Sequence, residues 1–135
     1  MDKANITEIE LIRGPCLGTC PVFEIKITRA GSFRYDGSWY VEPLGKRTGG
    51  FPGYLFERLA EVCCELRILE LDDVYPSDME DAPLTAVKIL HADGVKVVRS
   101  DGGNTGPVRL WAFAVIVEHA MREAFAIDDR KKGKR

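Results

Sequence analysis

The stretch Gly14-Pro-Cys-Leu-Gly-Thr-Cys-Pro21 lies between two strand-like patterns and decides how the N-terminal part of the chain can fold. Its two cysteines, Cys16 and Cys20, are flanked on both outer sides by proline. Gly18 between them can adopt a positive φ without steric cost, and each proline restricts its own φ. This composition predicts a tight, stiff turn that could bring the sulfurs within bonding range, which requires Cα atoms about 4.4–6.8 Å apart.

Two redox chemistries compete with a purely structural turn. An iron–sulfur or radical motif would need a further cysteine at position 23, where the chain has Phe23. A thioredoxin-like pair is C-x-x-C at a helix N-terminus, whereas this spacer is longer and a strand pattern follows it. A structural turn, with a disulfide or two packed thiols, is therefore favoured. Thiol-based redox chemistry or metal binding through Cys16 and Cys20 is the alternative.

Zinc is a third interpretation of the cysteines. A structural zinc site needs four ligands, and the remaining cysteines and histidines are Cys63, Cys64, His91 and His119. Adjacent residues on a helix point about 100° apart, so Cys63 and Cys64 form a poor chelating pair. We therefore predict no metal site and no cofactor. The sequence also marks no catalytic residue, because no nucleophile and base are placed together.

The turn and the strand after it resemble a bacterial family of domains of unknown function. The hallmark of that family is C-x-G-x-C-P-x-[YF], which here reads Cys-Leu-Gly-Thr-Cys-Pro-Val-Phe over residues 16–23. Looser similarity covers roughly residues 11–126. The similarity is lost at residues 100–107. The family often has an aromatic-Gly-x-Pro segment before the last helix, whereas this chain reads Ser-Asp-Gly-Gly-Asn-Thr-Gly-Pro. The resemblance adds to the expected fold and carries over no activity.

Length and composition predict a single α+β domain over residues 1–127 and a basic, disordered tail over residues 128–135. The chain is 45% hydrophobic, enough for a core, and its net charge of −2 argues against nucleic acid as a partner. The polar N-terminal residues show no apolar signal segment, so we expect a cytoplasmic protein that does not associate with membranes. A disulfide would be unusual in a reducing cytosol, so the redox state of the two cysteines stays open.

Apolar and polar residues alternate in several segments, as they do in half-buried strands. The predicted strands are 6–13, 23–28, 32–35, 84–92 and 95–100, with 39–42 continuing the first three. Asp93-Gly94 is the strongest hairpin signal in the chain, and residues 43–52 are interpreted as a glycine-rich connection. Helical spacing predicts helices from 53 to about 69 and from 108 to about 126. The order β-β-β-(β)-α-β-β-α predicts a single antiparallel sheet with two helices on one face.

The second predicted helix contains an unbroken apolar run over residues 110–117. This run is far shorter than the about 20 residues needed to cross a bilayer. A helix that is apolar all round must be buried all round, although one side of a helix in a two-layer domain faces water. The first helix, another part of the chain or another subunit must therefore cover it. Trp111, Phe113, Val115 and Ile116 are the candidate interface to a homo-oligomer or a protein partner.

Two loops are candidate ion sites. The stretch 72–81 is rich in carboxylates but lacks the spacing of a calcium loop, so a solvated acidic loop is favoured over a cation site. Gly103, Asn104, Thr105 and Gly106 precede the last helix, and a glycine-rich turn there can bind an anion. Neither nucleotide-binding glycine motif is present, so a flexible connection is favoured.

These observations favour a non-enzymatic binding or assembly module. The hypothesis rests on the surplus apolar surface of the last helix and on the lack of a recognisable nucleophile–base pair, metal quartet or nucleotide loop. Thiol-based redox activity or metal binding at Cys16 and Cys20 remains the alternative. A thiol titration distinguishes the two, because only the alternative needs a cysteine with a depressed pKa.

Overall fold

The computed structural model describes residues 2–78, 82–102 and 105–133. Seven strands form one sheet, and two α-helices pack with the apolar side chains of that sheet in an α+β arrangement. The strands are β1 (Ile6–Arg13), β2 (Val22–Thr28), β3 (Ser32–Trp39), β4 (Gly45–Gly50), β5 (Val74–Tyr75), β6 (Thr85–His91) and β7 (Gly94–Ser100), and the helices are α1 (Gly53–Glu65) and α2 (Val108–Gly133). The order across the sheet is β4-β3-β2-β1-β6-β7-β5.

The sheet is mixed, which corrects the prediction of a purely antiparallel sheet. Strand β5 pairs in parallel with β7, with Val74 opposite Arg99 and Tyr75 opposite Ser100. The other neighbouring strands in the described part of the chain are antiparallel. Strand β5 lies in the stretch predicted as an acidic loop, and two residues are too few to show an alternating pattern.

The fourth strand also differs from its predicted position. Residues 40–42, predicted to continue the meander, lie in the loop after β3, and β4 occupies residues 45–50 of the predicted connection. The sequence of β4, Gly-Lys-Arg-Thr-Gly-Gly, has no apolar alternation and no β-branched residue except Thr48. Its strand conformation comes from pairing with β3, because β-propensity depends strongly on neighbouring strands. The observed element order is therefore β-β-β-β-α-β-β-β-α.

Both helices end at residues other than those predicted. Helix α1 stops at Glu65, because Arg67 adopts the left-handed conformation with φ of 54°, and a short 3-10 turn follows at Ile68–Glu70. Helix α2 continues to Gly133, so residues 128–133 of the predicted disordered tail are helical. Asp128 explains this difference, since it pairs with Arg47 of β4 and with Lys132 one turn further along.

The core lies between one face of the sheet and the helices. The alternation predicted for β1, β2 and β3 is confirmed, because their buried apolar residues recur at every second position from Ile9 onward in β1 and throughout β2 and β3. Strand β6 instead buries three consecutive residues, Thr85, Ala86 and Val87.

The sequence pattern places Val97 in the core, and the structure corrects this: Val97 is 43% exposed, whereas Val98 is buried opposite Val87. The pairing register with β6 determines which side chains of β7 face the core. The sequence leaves this choice ambiguous, because β7 has valines on both of its faces.

Candidate functional site

Cys16 and Cys20 form a disulfide within the loop of residues 14–21 that joins β1 to β2. Their Cα atoms are 5.7 Å apart, within the predicted range. Gly18 has φ of 154°, which side-chain-bearing residues rarely adopt. At the start of the loop, the amide of Gly14 donates to the carbonyl of Leu84 at 2.9 Å. The loop is therefore closed by a covalent bond and anchored to the segment that leads into β6.

The disulfide loop projects an apolar tip into solvent. Leu17, inside the ring closed by the bridge, is 86% exposed. Arg13 directly precedes the loop, but its guanidinium is bound by other side chains and is not an unpaired charge beside the sulfurs. Its Nε donates to Glu118 Oε1 at 2.6 Å, and its Nη1 donates to Thr85 Oγ1 at 2.6 Å. While the bridge is intact, neither sulfur is a thiolate, so neither can act as a nucleophile or a metal ligand.

A second exposed loop, residues 40–44 between β3 and β4, lies at the same end of the sheet. Trp39 at the end of β3 is paired with Val22 directly after the disulfide loop, which places the two loops on neighbouring strands. Trp39, Tyr40 and Leu44 are all more than half exposed. The loop is held in place, because Tyr35 Oη donates to the carbonyl of Pro43 at 2.8 Å.

Helix α2 reaches this end through its contact with Arg13. Glu118 binds Arg13, and one turn earlier Val115 is exposed, with Ile116, Trp111 and Val108 also exposed. Phe113 is fully buried, which removes it from the predicted interface because its spacing places it on the core face. We call the exposed apolar set on the two neighbouring loops the disulfide-end surface: Leu17, Trp39, Tyr40 and Leu44.

The predicted anion site is only partly described, since Gly103 and Asn104 lie outside the described residues. The hydroxyl of Thr105 donates to the carbonyl of Tyr75 at 3.1 Å and bonds the hydroxyl of Ser100 at 2.6 Å. Gly106 has φ of 89° and packs against the Tyr75 ring. Thr105 and Gly106 therefore hold the connection onto β5, and their observed contacts are structural.

The acidic stretch is tied to the sheet in its described part, residues 72–78. Asp73 accepts from Lys96 Nζ at 2.8 Å, and the amide of Asp72 donates to Tyr75 Oη at 3.0 Å. Glu80 and Asp81 lie outside the described residues. Among residues 2–78, 82–102 and 105–133, no group of three or more His, Cys, Asp or Glu side chains could hold a metal ion.

The structure brings together three of the four cysteines and histidines that were considered as further zinc ligands. Cys63, Cys64 and His91 line one open cleft of about 390 Å³ between the end of α1 and the β6–β7 hairpin. Burial raises the pKa of Cys63 to about 12 and also raises the pKa of Cys64, so both thiols stay protonated at neutral pH. His91 Nδ1 accepts from the amide of Asp93 at 3.2 Å. No sequence spacing signals this cleft, because it depends on how α1 packs beside the hairpin.

Residues 7–120 match a family described as a domain of unknown function, DUF6438. The chain belongs to this family. The match runs from β1 through all seven strands and α1 into the middle of α2, so it includes the disulfide loop and the loop of residues 40–44. It confirms the resemblance to a family of unknown function.

Two further findings accompany the DUF6438 match. Comparison with curated proteins found no match. Among the described residues, no helix has both the length and the apolarity needed to cross a membrane. The family description states no activity, so the function of this DUF6438 member has to be argued from its geometry.

Proposed function

We propose that this DUF6438 member is a non-enzymatic binding module that docks a protein partner on the disulfide-end surface. The observation that carries the proposal is the exposure of Leu17, Trp39, Tyr40 and Leu44 on two neighbouring loops. Large apolar side chains concentrated at one place on a surface mark interaction sites, whereas scattered ones are ordinary. The Cys16–Cys20 bridge serves in this proposal as a brace that keeps Leu17 projecting.

The two loops are built to hold their side chains in place before a partner arrives. The disulfide closes the first loop, and the Tyr35–Pro43 hydrogen bond fixes the second. Gly37 is needed for that bond, because a Cβ there would overlap both the Pro43 carbonyl and the Tyr35 hydroxyl. A surface ordered in advance loses less conformational entropy on binding, so more of the contact energy appears as affinity.

The charges beside the loops favour a protein over a lipid surface. Glu42 is exposed between Tyr40 and Leu44, and the chain carries a net charge of −2. Anionic membranes attract clusters of lysine and arginine, whereas Lys46 is the single cation within residues 40–46, too little positive charge for such a site. Exposed Trp and Tyr side chains are typical anchors at the centres of protein interfaces. We expect a partner with an apolar pocket and a basic group opposite Glu42.

Site-specific photo-crosslinking tests the proposal. A crosslinker at position 40 should capture a defined partner, whereas a crosslinker at Tyr54 of α1, which is similarly exposed, should not. With the purified partner, Trp39→Ala should weaken binding at least about tenfold, because interface aromatics often contribute 2 kcal/mol or more. Tyr54→Ala is the matched control. Equal crosslinking at both positions, or equal affinity of both variants, would contradict the proposal.

The thiol-based alternative is supported by one observation, the position of the bridge on an exposed loop where a reductant can reach it. After reduction, it requires Cys16 or Cys20 to titrate with a depressed pKa or to bind a metal stoichiometrically. A thiol titration of the reduced protein measures this directly. If both thiols show ordinary reactivity and no metal binds, the thiol-based alternative fails.

The bridge also bears on where the protein works. Disulfides persist in oxidising compartments and are rare in the cytosol. The cytoplasmic location expected from the sequence therefore predicts reduced thiols, and an oxidising compartment predicts the bridge. Alkylation of cysteines in intact cells, followed by mass spectrometry of the peptide that contains residues 14–21, distinguishes the two.

A further inference from the structure

Strand β4 forms one edge of the sheet, and the described residues show no backbone hydrogen bond on its outer side. The amide of Phe51 donates to the carbonyl of Gly31 at 2.9 Å, which sets the phase of the β3–β4 ladder. Hydrogen-bonded pairs alternate along an antiparallel ladder, so Gly45, Arg47 and Gly49 direct their backbone groups towards β3. The backbone groups of Lys46, Thr48 and Gly50 consequently point outwards.

No described element covers this edge. Lys46, Thr48 and Gly50 are all exposed, and the main contacts of β4 are with β3 and the end of α2. At the opposite edge, β5 is only two residues long and offers little to pair with. Long, uncovered edge strands are templates for a strand from another chain, and monomeric proteins usually shorten or block them.

We propose that β4 pairs antiparallel with β4 of a second copy, with Thr48 opposite Thr48 on the twofold axis. In this register Lys46 lies opposite Gly50 and Arg47 lies opposite Gly49. Each cation therefore faces a glycine across the seam, and the residues with outward backbone groups form hydrogen-bonded pairs with one another. Like charges directly opposite each other destabilise a strand pair, and this register avoids them.

The neighbouring registers are less favourable. A shift that centres the pair on Arg47 places two arginines opposite each other. A shift that centres it on Gly49 brings Lys46 opposite Pro52, which has no amide hydrogen to donate. In the register centred on Thr48, β4 is therefore complementary to β4 of a second copy. An arbitrary peptide would lack this complementarity. This pairing uses the backbone of β4 and does not depend on the partner proposed for the disulfide-end surface.

Cysteine crosslinking tests the register. Thr48→Cys should form a covalent dimer under mild oxidation, because residues in a hydrogen-bonded pair have Cα atoms about 5.5 Å apart, within disulfide range. Lys46→Cys is the matched control on the same edge. Its counterpart in the second copy would be four positions along the strand, about 13 Å away, so it should stay uncrosslinked. Equal crosslinking of both variants, or none of Thr48→Cys, would overturn the proposed register.

Sedimentation velocity over a range of concentrations tests the dimer itself. Gly50→Lys puts a lysine opposite Lys46 and should raise the dimer dissociation constant at least about tenfold, since opposed like charges repel. The substitution leaves the fold intact, because a Cβ at Gly50 has only the Gly31 carbonyl within 4 Å, at 3.8 Å. Adding Lys46→Glu to Gly50→Lys should restore the dimer. A wild-type monomer at every concentration, or a dimer unaffected by Gly50→Lys, would overturn the inference.

Discussion

Arg47 links the edge strand β4 to the last turns of α2. Its Nη2 donates to Asp128 at 3.0 Å and to Asp129 at 2.6 Å, and its guanidinium lies 4.7 Å from the centre of the Phe125 ring. The side chain is only 18% exposed, so these contacts are partly shielded from water. A residue on a glycine-rich strand thus ties together two elements far apart in the chain.

Replacing Arg47 should destabilise the protein measurably. Arg47→Ala removes the ion pairs and the stacking on Phe125, and we expect the free energy of unfolding to fall by about 2 kcal/mol. Arg58→Ala removes a more exposed pair with Glu61 and should cost about 0.5 kcal/mol or less. Urea unfolding measures both variants. Equal losses would show that Arg47 contributes no more than a surface charge.

Asp128 should make stability depend on pH in the acidic range. Hydrogen bonds from Arg47 and then Lys132 lower the pKa of Asp128 in the folded state. Its contribution is therefore fully present above the unfolded-state pKa of about 4 and declines as pH falls through the folded-state value. Wild type should be more stable than Asp128→Asn at pH 7, and the difference should shrink below about pH 4. A constant difference between pH 7 and pH 2 would contradict this assignment.

At the scale of elements, the disulfide loop should stabilise the fold without being required for it. In the chain-entropy model, a bridge closing so small a ring contributes about 2 kcal/mol. The double variant Cys16→Ser/Cys20→Ser should keep its circular dichroism spectrum and melt on the order of 5–10 °C lower. A reductant should lower the melting temperature of wild type similarly and leave the variant unchanged. Loss of the native spectrum would show that the bridge is needed to fold.

The end of α2 is the second element whose role can be tested. Deleting residues 131–135 keeps both aspartates that bind Arg47 and should change stability by less than about 0.5 kcal/mol. Deleting residues 128–135 leaves Arg47 partly buried without those acceptors and should cost about 2 kcal/mol. Thermal or urea unfolding compares the two deletions. Two equally neutral deletions would instead support the disordered tail predicted from the sequence.

At the scale of the whole molecule, one core joins most of the chain. Buried apolar residues from β1, β2, β3, β6, β7 and both helices belong to a single cluster. The opposite face of the sheet carries charges in register, for example Glu10 between Lys26 and Lys88. The molecule is therefore two-layered, with a covered apolar face and an open polar face.

A shared core should make unfolding cooperative. The two tryptophans, Trp39 at the end of β3 and Trp111 in α2, report on two different elements of the fold. Fluorescence of Trp39→Phe and Trp111→Phe, each retaining the other tryptophan, should give urea transitions that coincide with circular dichroism. If the unfolding midpoints differed by more than their experimental error, the chain would contain units that unfold independently.

Much of this architecture is predictable from short-range patterns. The alternation in β1, β2 and β3, the Asp93-Gly94 hairpin and the start of α1 are each encoded by neighbouring residues. The proline-flanked turn likewise predicts that Cys16 and Cys20 could approach each other. Of the candidate interface, Trp111, Val115 and Ile116 are exposed, but no local pattern separates them from Phe113, because the whole run is apolar.

The sequence by itself therefore determined the class of the fold, most of its strands and the tight cysteine turn, because each depends on residues adjacent in the chain. Only the tertiary structure decided that a glycine-rich segment becomes edge strand β4, that Val98 and not Val97 is buried, and that α2 extends to Gly133. It also decided that the loop of residues 40–44 lies beside the disulfide loop. These features depend on strand pairing and on contacts such as Arg47 with Asp128, whose partners are distant in the sequence and leave no local pattern.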